Sequence, residues 1–348
     1  MNEPTRRGVR PDDALPPVEP PSAAFLVQLF VVPLTIVACG LFVVWGFYWL
    51  AQMGNDPESY VRALRRNNEG RWQVALNFAN DLRGPGGAAL KNDAGLARDL
   101  AGILADEVTS GRPNGGGHGA EQSRTLCGYL CRALGEFSVP EAAAPLLARA
   151  ADSSDPQTAQ AAVEALAVLS ANLAAAGRSF DDPAAVSAAL LAASRSDSDA
   201  LRSSSAFTLG VVGGAGAAER LAELAEDADE DVRYNATIGL ARQGRETAWS
   251  GLAEMLALPD SVPAEGDQKG QAERYRRAMI VVNALKGVGL LVDDTRQPPP
   301  AAIAEAITKL AADPVPDVRS AAKALAGRIT RETLRAPREA FRDRVPGP

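Results

Sequence analysis

The chain is poor in the residues that most chemistry needs. It has one histidine, His118, three cysteines, Cys39, Cys127 and Cys131, and only 5% aromatic residues. A lone histidine set among glycines, GGGHG, is expected in a mobile loop, where nothing fixes its geometry for acid–base work. Three cysteines give no disulfide framework, and without a CxxC pair or a second histidine they lack zinc-ligand spacing. Cys127 and Cys131, four apart, share a helix face and are expected to fill a helix–helix seam as small apolar side chains. Basic residues are also in deficit: 36 Lys and Arg against 43 Asp and Glu, a net charge of −7 and a pI near 5.1. A chain of that sign carries no general field for phosphates, so no nucleic acid is expected as a partner.

Alanine and leucine dominate the 46% hydrophobic fraction, as closely packed short helices require. The stretch Asp227–Gly244, DADEDVRYNATIGLARQG, shows how such helices are written. Its acids crowd a helix start, where carboxylates cap free N–H groups and complement the dipole. A helix is therefore expected from Asp229. Val232, Ala236, Gly239 and Leu240 form one apolar stripe, Gly244 ends it, and Ala217–Ala228 reads as a short partner helix before it.

Two short helices cannot bury their own apolar faces, so copies must stack. The Val232 position has counterparts at Leu126, Thr158, Leu201, approximately Tyr275, and Val318, with a divergent first copy at Arg71–Leu82. The pattern D-x-D-x-x-V-R-x-x-A-x-x-x-L at Asp227–Leu240, repeated in part as DPVPDVRSAAKAL at Asp313–Leu325, resembles HEAT repeats, especially the short subfamily named after phycobilisome lyases. The resemblance implies an all-α fold, an α-solenoid superhelix of about six to seven helix pairs over residues 59–331. It also implies a polar ladder between repeats, matching Asp227 with Arg233 and Asp313 with Arg319. Ser196 stands where the ladder Asp belongs before Arg202, and Ala159 where an Arg belongs.

Ahead of the repeats, residues 1–22 are rich in proline and acids, a composition expected to be disordered. Residues 23–51 are almost wholly apolar and longer than the roughly 20 residues that cross a bilayer. Trp45, Phe47, Tyr48 and Trp49 cluster at the far end, as interfacial rings do. This predicts a single transmembrane helix before the solenoid, with Pro33 as a kink or as the start of the continuous span. A cleaved signal sequence has a shorter apolar core and a small-residue site, which AQMGNDPE after Leu50 lacks. No GxxxG pair marks the span for dimerisation. Arginines balance across it, Arg6, Arg7 and Arg10 against Arg62, Arg65 and Arg66. The unpaired thiols favour the repeats on the cytoplasmic side, at a bacterial inner membrane.

Insertions are expected at Gly84–Gly87, Gly111–Gly119, Leu258–Gly270 and Val292–Pro300, flanking a helix at Ala94–Val108 and the later pairs. Residues 332–348 form a basic tail. Gly210–Glu219 superficially resembles a dinucleotide loop, but it follows a helix and lacks the third glycine, so a repeat turn fits better. Asp293 and Asp294 offer no more than a weak cation site.

No set of residues specifies a reaction, a cofactor, a metal or a small-molecule substrate. The expectation is a membrane-anchored scaffold without catalysis of its own, which meets protein partners on its concave face or loops and the lipid bilayer through 23–51. An enzyme or enzyme subunit resembling bilin-chromophore lyases is the alternative from the repeat subfamily. A nucleic-acid-binding repeat module is the third, disfavoured by the acidic charge.

Overall fold

The computed structural model describes residues 22–52, 57–66, 68–152, 154–264 and 266–342. The proline-rich segment expected to be disordered lies outside the described residues apart from Ser22. The chain divides into two compact units, Met1–Asp56 and Pro57–Pro348.

In the first unit, α1 (Ala23–Leu26), a π-helical turn (Val27–Val31) and α2 (Val32–Gln52) follow one another without a break. The π turn precedes Pro33, which has no N–H to donate and crowds the preceding turn, so a wider turn is a natural accommodation. Between Val27 and Tyr48 the mean hydropathy is 2.5 and none of the span is buried in the structure.

The second unit contains seven helix pairs among the described residues: α3 (Pro57–Arg65) with α4 (Arg71–Arg83), α6 (Ala94–Thr109) with α7 (His118–Gly135), α8 (Ala143–Ala150) with α9 (Pro156–Ala175), α10 (Pro183–Ala193) with α11 (Asp199–Val212), α12 (Ala217–Leu224) with α13 (Glu230–Arg242), α14 (Ala248–Leu256) with α15 (Gln268–Thr295), and α16 (Ala301–Leu310) with α17 (Pro316–Arg342). A single-turn helix, α5 (Ala88–Lys91), sits in the connection after α4. The second helices pack in series, α4 on α7, then α9, α11, α13, α15 and α17, and the first helices pack on them as an outer layer. This two-layer, all-helical stack is consistent with an α-solenoid.

The periodicity works through burial. Of the lead positions, Leu201, Val232 and Val318 stand in the first turn of their helices and Leu126 about two turns into α7, and four residues on from each, Leu130, Ser205, Ala236 and Ala322 are fully buried. Asp229 caps α13 by accepting from the Val232 amide at 3.0 Å, and Gly244 takes φ +65 just past the helix end. Where two second helices touch most closely there is no room for a side chain. A Cβ on Gly210 would overlap the Gly239 backbone, and one on Gly135 would press on Ala165.

Four expectations need correction. The counterpart of Val232 on α15 is Ile280, not Tyr275: Ala284, Leu285, Gly287, Val288 and Gly289 are buried where α13 buries Ala236, Thr237, Gly239, Leu240 and Ala241, whereas Tyr275 is 68% exposed. α15 simply begins about three turns before its repeat does. The ladder pairs differ too. The Asp227 carboxylate is held by Arg202 of the preceding repeat, at 2.9 and 3.0 Å, and Asp313 by Arg277, at 2.8 and 3.2 Å. Arg233 and Arg319 instead donate to the backbone carbonyls of their own turns, Asp227 and Ala228, Asp313 and Pro314. Arg202 and Arg277 serve both sides, each reaching the turn that follows and also donating to a carbonyl of the turn that precedes, Ser196 and Leu258. Third, Val292–Thr295 belong to α15, so that insertion begins only at Arg296, which adopts a left-handed φ of 57. Fourth, Arg112–Asn114 form a short 3-10 helix and His118 and Gly119 belong to α7, so that insertion is shorter than the sequence suggests. α17 continues helically to Arg342, into the segment read as a basic tail.

Candidate binding surface

The second helices share a face that their neighbours cover only in part: Ile238 of α13 packs against Gly287 of α15, while the larger side chains around it stay exposed. Six residues beyond the lead positions stand Arg132, Glu164, Phe207, Ile238, Lys286 and Ala324, and ten beyond them Glu136, Val168, Val211, Arg242, Leu290 and Arg328; of these Glu136 is buried and held by Arg83 and Lys91. Phe207 is 37% exposed, Val168 39% and Leu290 44%. Apolar side chains of this size, repeated along one face, mark an interaction surface when they recur together.

The aromatic rings there do not stand alone. The Arg132 guanidinium lies 5.3 Å from the centre of the Tyr129 ring, and Tyr129 stacks on Trp72 of α4 with ring centres 6.2 Å apart. The Arg242 guanidinium lies 4.9 Å from the centre of the Phe207 ring on the adjacent helix. Burial holds the Arg242 pKa below its ordinary value. Arg132, Arg242 and Lys286 have no carboxylate partner among the described residues, whereas the ladder arginines Arg202 and Arg277 are paired with Asp227 and Asp313, and Arg276 with Asp231.

Beside this face, where α15 outruns its repeat, Tyr275, Met279 and Val282 line a shallow apolar groove of about 410 Å³ against Pro314, Val315 and Pro316. One end is fixed by Arg274, bound through two nitrogens to Asp260 at 3.0 Å each. The insertion at Leu258–Gly270 supplies both Asp260 and Pro263, the latter on the groove wall.

The residues that drew attention in the sequence lie elsewhere. Cys127 and Cys131 are buried in α7, in the seam with neighbouring helices, and burial pushes the Cys127 thiol up to about 12 and Cys131 higher still. His118 is not in a loop: it is the first residue of α7, exposed, with Nε2 2.9 Å from the Gln122 amide nitrogen. Asp227 and Asp229 are taken up by Arg202 and by capping, Asp293 by Arg328 at 3.3 Å. Gly213, Gly214 and Gly216 make the tight left-handed turn from α11 into α12, which is what the dinucleotide-like stretch amounts to. Arg62 and Arg65 pair with Glu58 and Asp99. No group of three or more potential metal ligands occurs among the described residues.

One polar cluster escaped the sequence entirely. Glu107 of α6 is buried and accepts from Arg71 at 2.6 Å, from two nitrogens of Arg112, at 3.0 and 2.5 Å, and from the Ser123 hydroxyl. Burial pushes its pKa up, but the bonds from Arg112, Ser123 and Arg71 outweigh this and bring it down to about 2. A glutamate late in an amphipathic helix gives no sign of such a role.

The family model for HEAT repeats matches residues 186–264, which span α10 to α14 and part of the following loop. Over that stretch the chain is similar to HEAT repeats. No curated protein matches the sequence. Among solved structures, human deoxyhypusine hydroxylase in complex with glycerol is 18% identical, with a TM-score of 0.32, over 79% of this chain and 96% of that one. An engineered protein is 16% identical, with a TM-score of 0.31, over 80% and 98%. The Escherichia coli protein YibA is 16% identical, with a TM-score of 0.33, over 81% and 96%. At TM-scores of this size none of the three bears on what this chain does.

Proposed function

We propose that this chain is a membrane-tethered HEAT-repeat scaffold, which holds a protein partner at the membrane surface on the exposed face of its second helices and performs no catalysis itself. The observation that carries the reading is the contrast between the two units. The repeats bury their apolar stripes in a continuous core of their own, while Val27–Tyr48 buries none of its apolar side chains. A helix of about 22 residues at 1.5 Å each spans about 33 Å, the thickness of a bilayer core. α9, the other long apolar helix, is a repeat helix packed against α7, α8 and α11, and needs no membrane.

The bilayer is the partner of 23–51, and the buried, reduced thiols of α7 support a cytoplasmic face for the repeats at a bacterial inner membrane. The finer kinship to the short repeats named after phycobilisome lyases rests on the Asp227–Leu240 pattern and its partial copy at Asp313–Leu325.

Alkaline extraction of membranes tests the tether. The full chain should stay in the pellet at full length, and a chain lacking residues 23–52 should move to the supernatant. Release of the full chain, or recovery of a product cleaved after Leu50, would remove the anchor from this reading.

A further inference from the structure

We infer that the exposed face of the second helices recognises an extended acidic segment of a partner protein, one that alternates carboxylates with apolar side chains. The inference rests on the scaffold reading and names the chemistry of its partner. In a chain with an excess of acids, three cations on one face, Arg132, Arg242 and Lys286, are left without a carboxylate among the described residues. Glu164, on the same row, is engaged instead by Gln160 at 2.9 Å and the Ser204 hydroxyl at 3.0 Å.

Two of these cations are prepared for an anion in a specific way. Arg132 lies over Tyr129 and Arg242 over Phe207, and neither guanidinium donates a hydrogen bond among the described residues. A ring beside the guanidinium restricts it without consuming its N–H donors, a fork whose geometry matches a carboxylate. The ordering cost of a bidentate Arg–carboxylate pair is thereby partly met before binding. Phe207 and Leu290, partly exposed between and beside the cations, supply the contact for apolar side chains.

Spacing sets the length of the ligand. Arg132 is on α7 and Arg242 on α13, three helix spacings apart through α9 and α11. At about 8–10 Å per spacing and about 3.3 Å per extended residue, roughly eight residues separate the two carboxylates. A discrete pair of forks at that separation suits a peptide segment better than a uniformly charged polyanion, whose affinity would come from many evenly spread cations.

The test uses the full chain in detergent and fluorescein-labelled peptides of about ten residues, glutamates at both ends with leucine and phenylalanine between, beside a version with lysine for glutamate. Saturable binding of the glutamate peptide alone is expected, weakened about tenfold by Arg132→Glu or by Arg242→Glu and less by Arg242→Lys, which keeps the charge but not the fork. The melting temperatures of these variants should fall only slightly, because each loses one ring contact and no ion pair. Equal binding of the lysine peptide, no saturable binding, or indifference to both charge reversals overturns the inference. So does tighter binding of anionic vesicles or single-stranded DNA, which would make the occupant a different polyanion. If the peptide fails while a photo-crosslinking amino acid placed at Phe207 still yields a protein adduct in intact cells, the scaffold reading stands and only this chemistry falls.

Discussion

Glu107→Ala should destabilise the repeat unit by about 3–5 kcal/mol, the range seen when one partner of a buried ion cluster is removed. The reason is what remains. Arg71, with its side chain 11% exposed, would keep its charge in the core with only the Leu64 carbonyl to receive it, at 2.7 Å. Arg112 and Ser123 would lose their shared acceptor as well. Helical circular dichroism of the full chain in detergent, followed through thermal unfolding, measures the loss. The same group sets an acid limit. Its folded pKa of about 2 lies below the ordinary value of 4.5, so its contribution is present above about 4.5 and is lost as pH falls through about 2. At 1.36 kcal/mol per unit the difference is worth about 3 kcal/mol. The parent should therefore lose stability across that window, and Glu107→Ala should lose markedly less.

The second large effect is one of sign. Gly210→Ala should destabilise by about 1–3 kcal/mol, the cost of overpacking a closed seam, since the new methyl group meets the Gly239 backbone. Gly102→Ala, an exposed position in α6 with no atom in the way of a Cβ, should instead stabilise by about 0.5–1 kcal/mol through helix propensity. Opposite shifts of the melting temperature in the two variants would establish that the second helices stack through glycine-lined contacts. A shift of the same sign would mean the α11–α13 spacing is wider than the structure has it.

Much of the repeat frame was legible because each unit must bury one stripe and cap one helix, and both demands leave marks. Asp229, Val232 and Leu240 read correctly for that reason, as did the helix at Ala94–Val108. The register slipped at α15 because Arg277 does carry the ladder role, bonding Asp313 and the Leu258 carbonyl as Arg202 bonds Asp227 and the Ser196 carbonyl, while the buried stripe lies a few residues further on. The ladder was misassigned for a related cause: spacing along the chain shows that Asp and Arg are near one another in sequence, but an arginine is long enough to serve either the turn before it or the turn after. The binding face was hidden at one further remove. Arg132, Phe207 and Arg242 look unrelated until the repeats are aligned, when they fall six and ten residues beyond their lead positions. Glu107 could not have been found at all, since Arg71 reaches it from α4, 36 residues away, and the nearer Arg112 and Ser123 are unremarkable alone.

The central claim is that this face, rather than the outer layer, holds a protein partner at the membrane. A photo-crosslinking amino acid at Phe207 or at Leu290, compared in intact cells with one at Ala222, exposed on α12 in the outer layer, tests it most directly. A discrete, reproducible protein adduct from the first two positions, absent from Ala222 and lost when residues 23–52 are deleted, is the expected result. Adducts that are equally frequent from Ala222, or none from either position on the second helices, would contradict it.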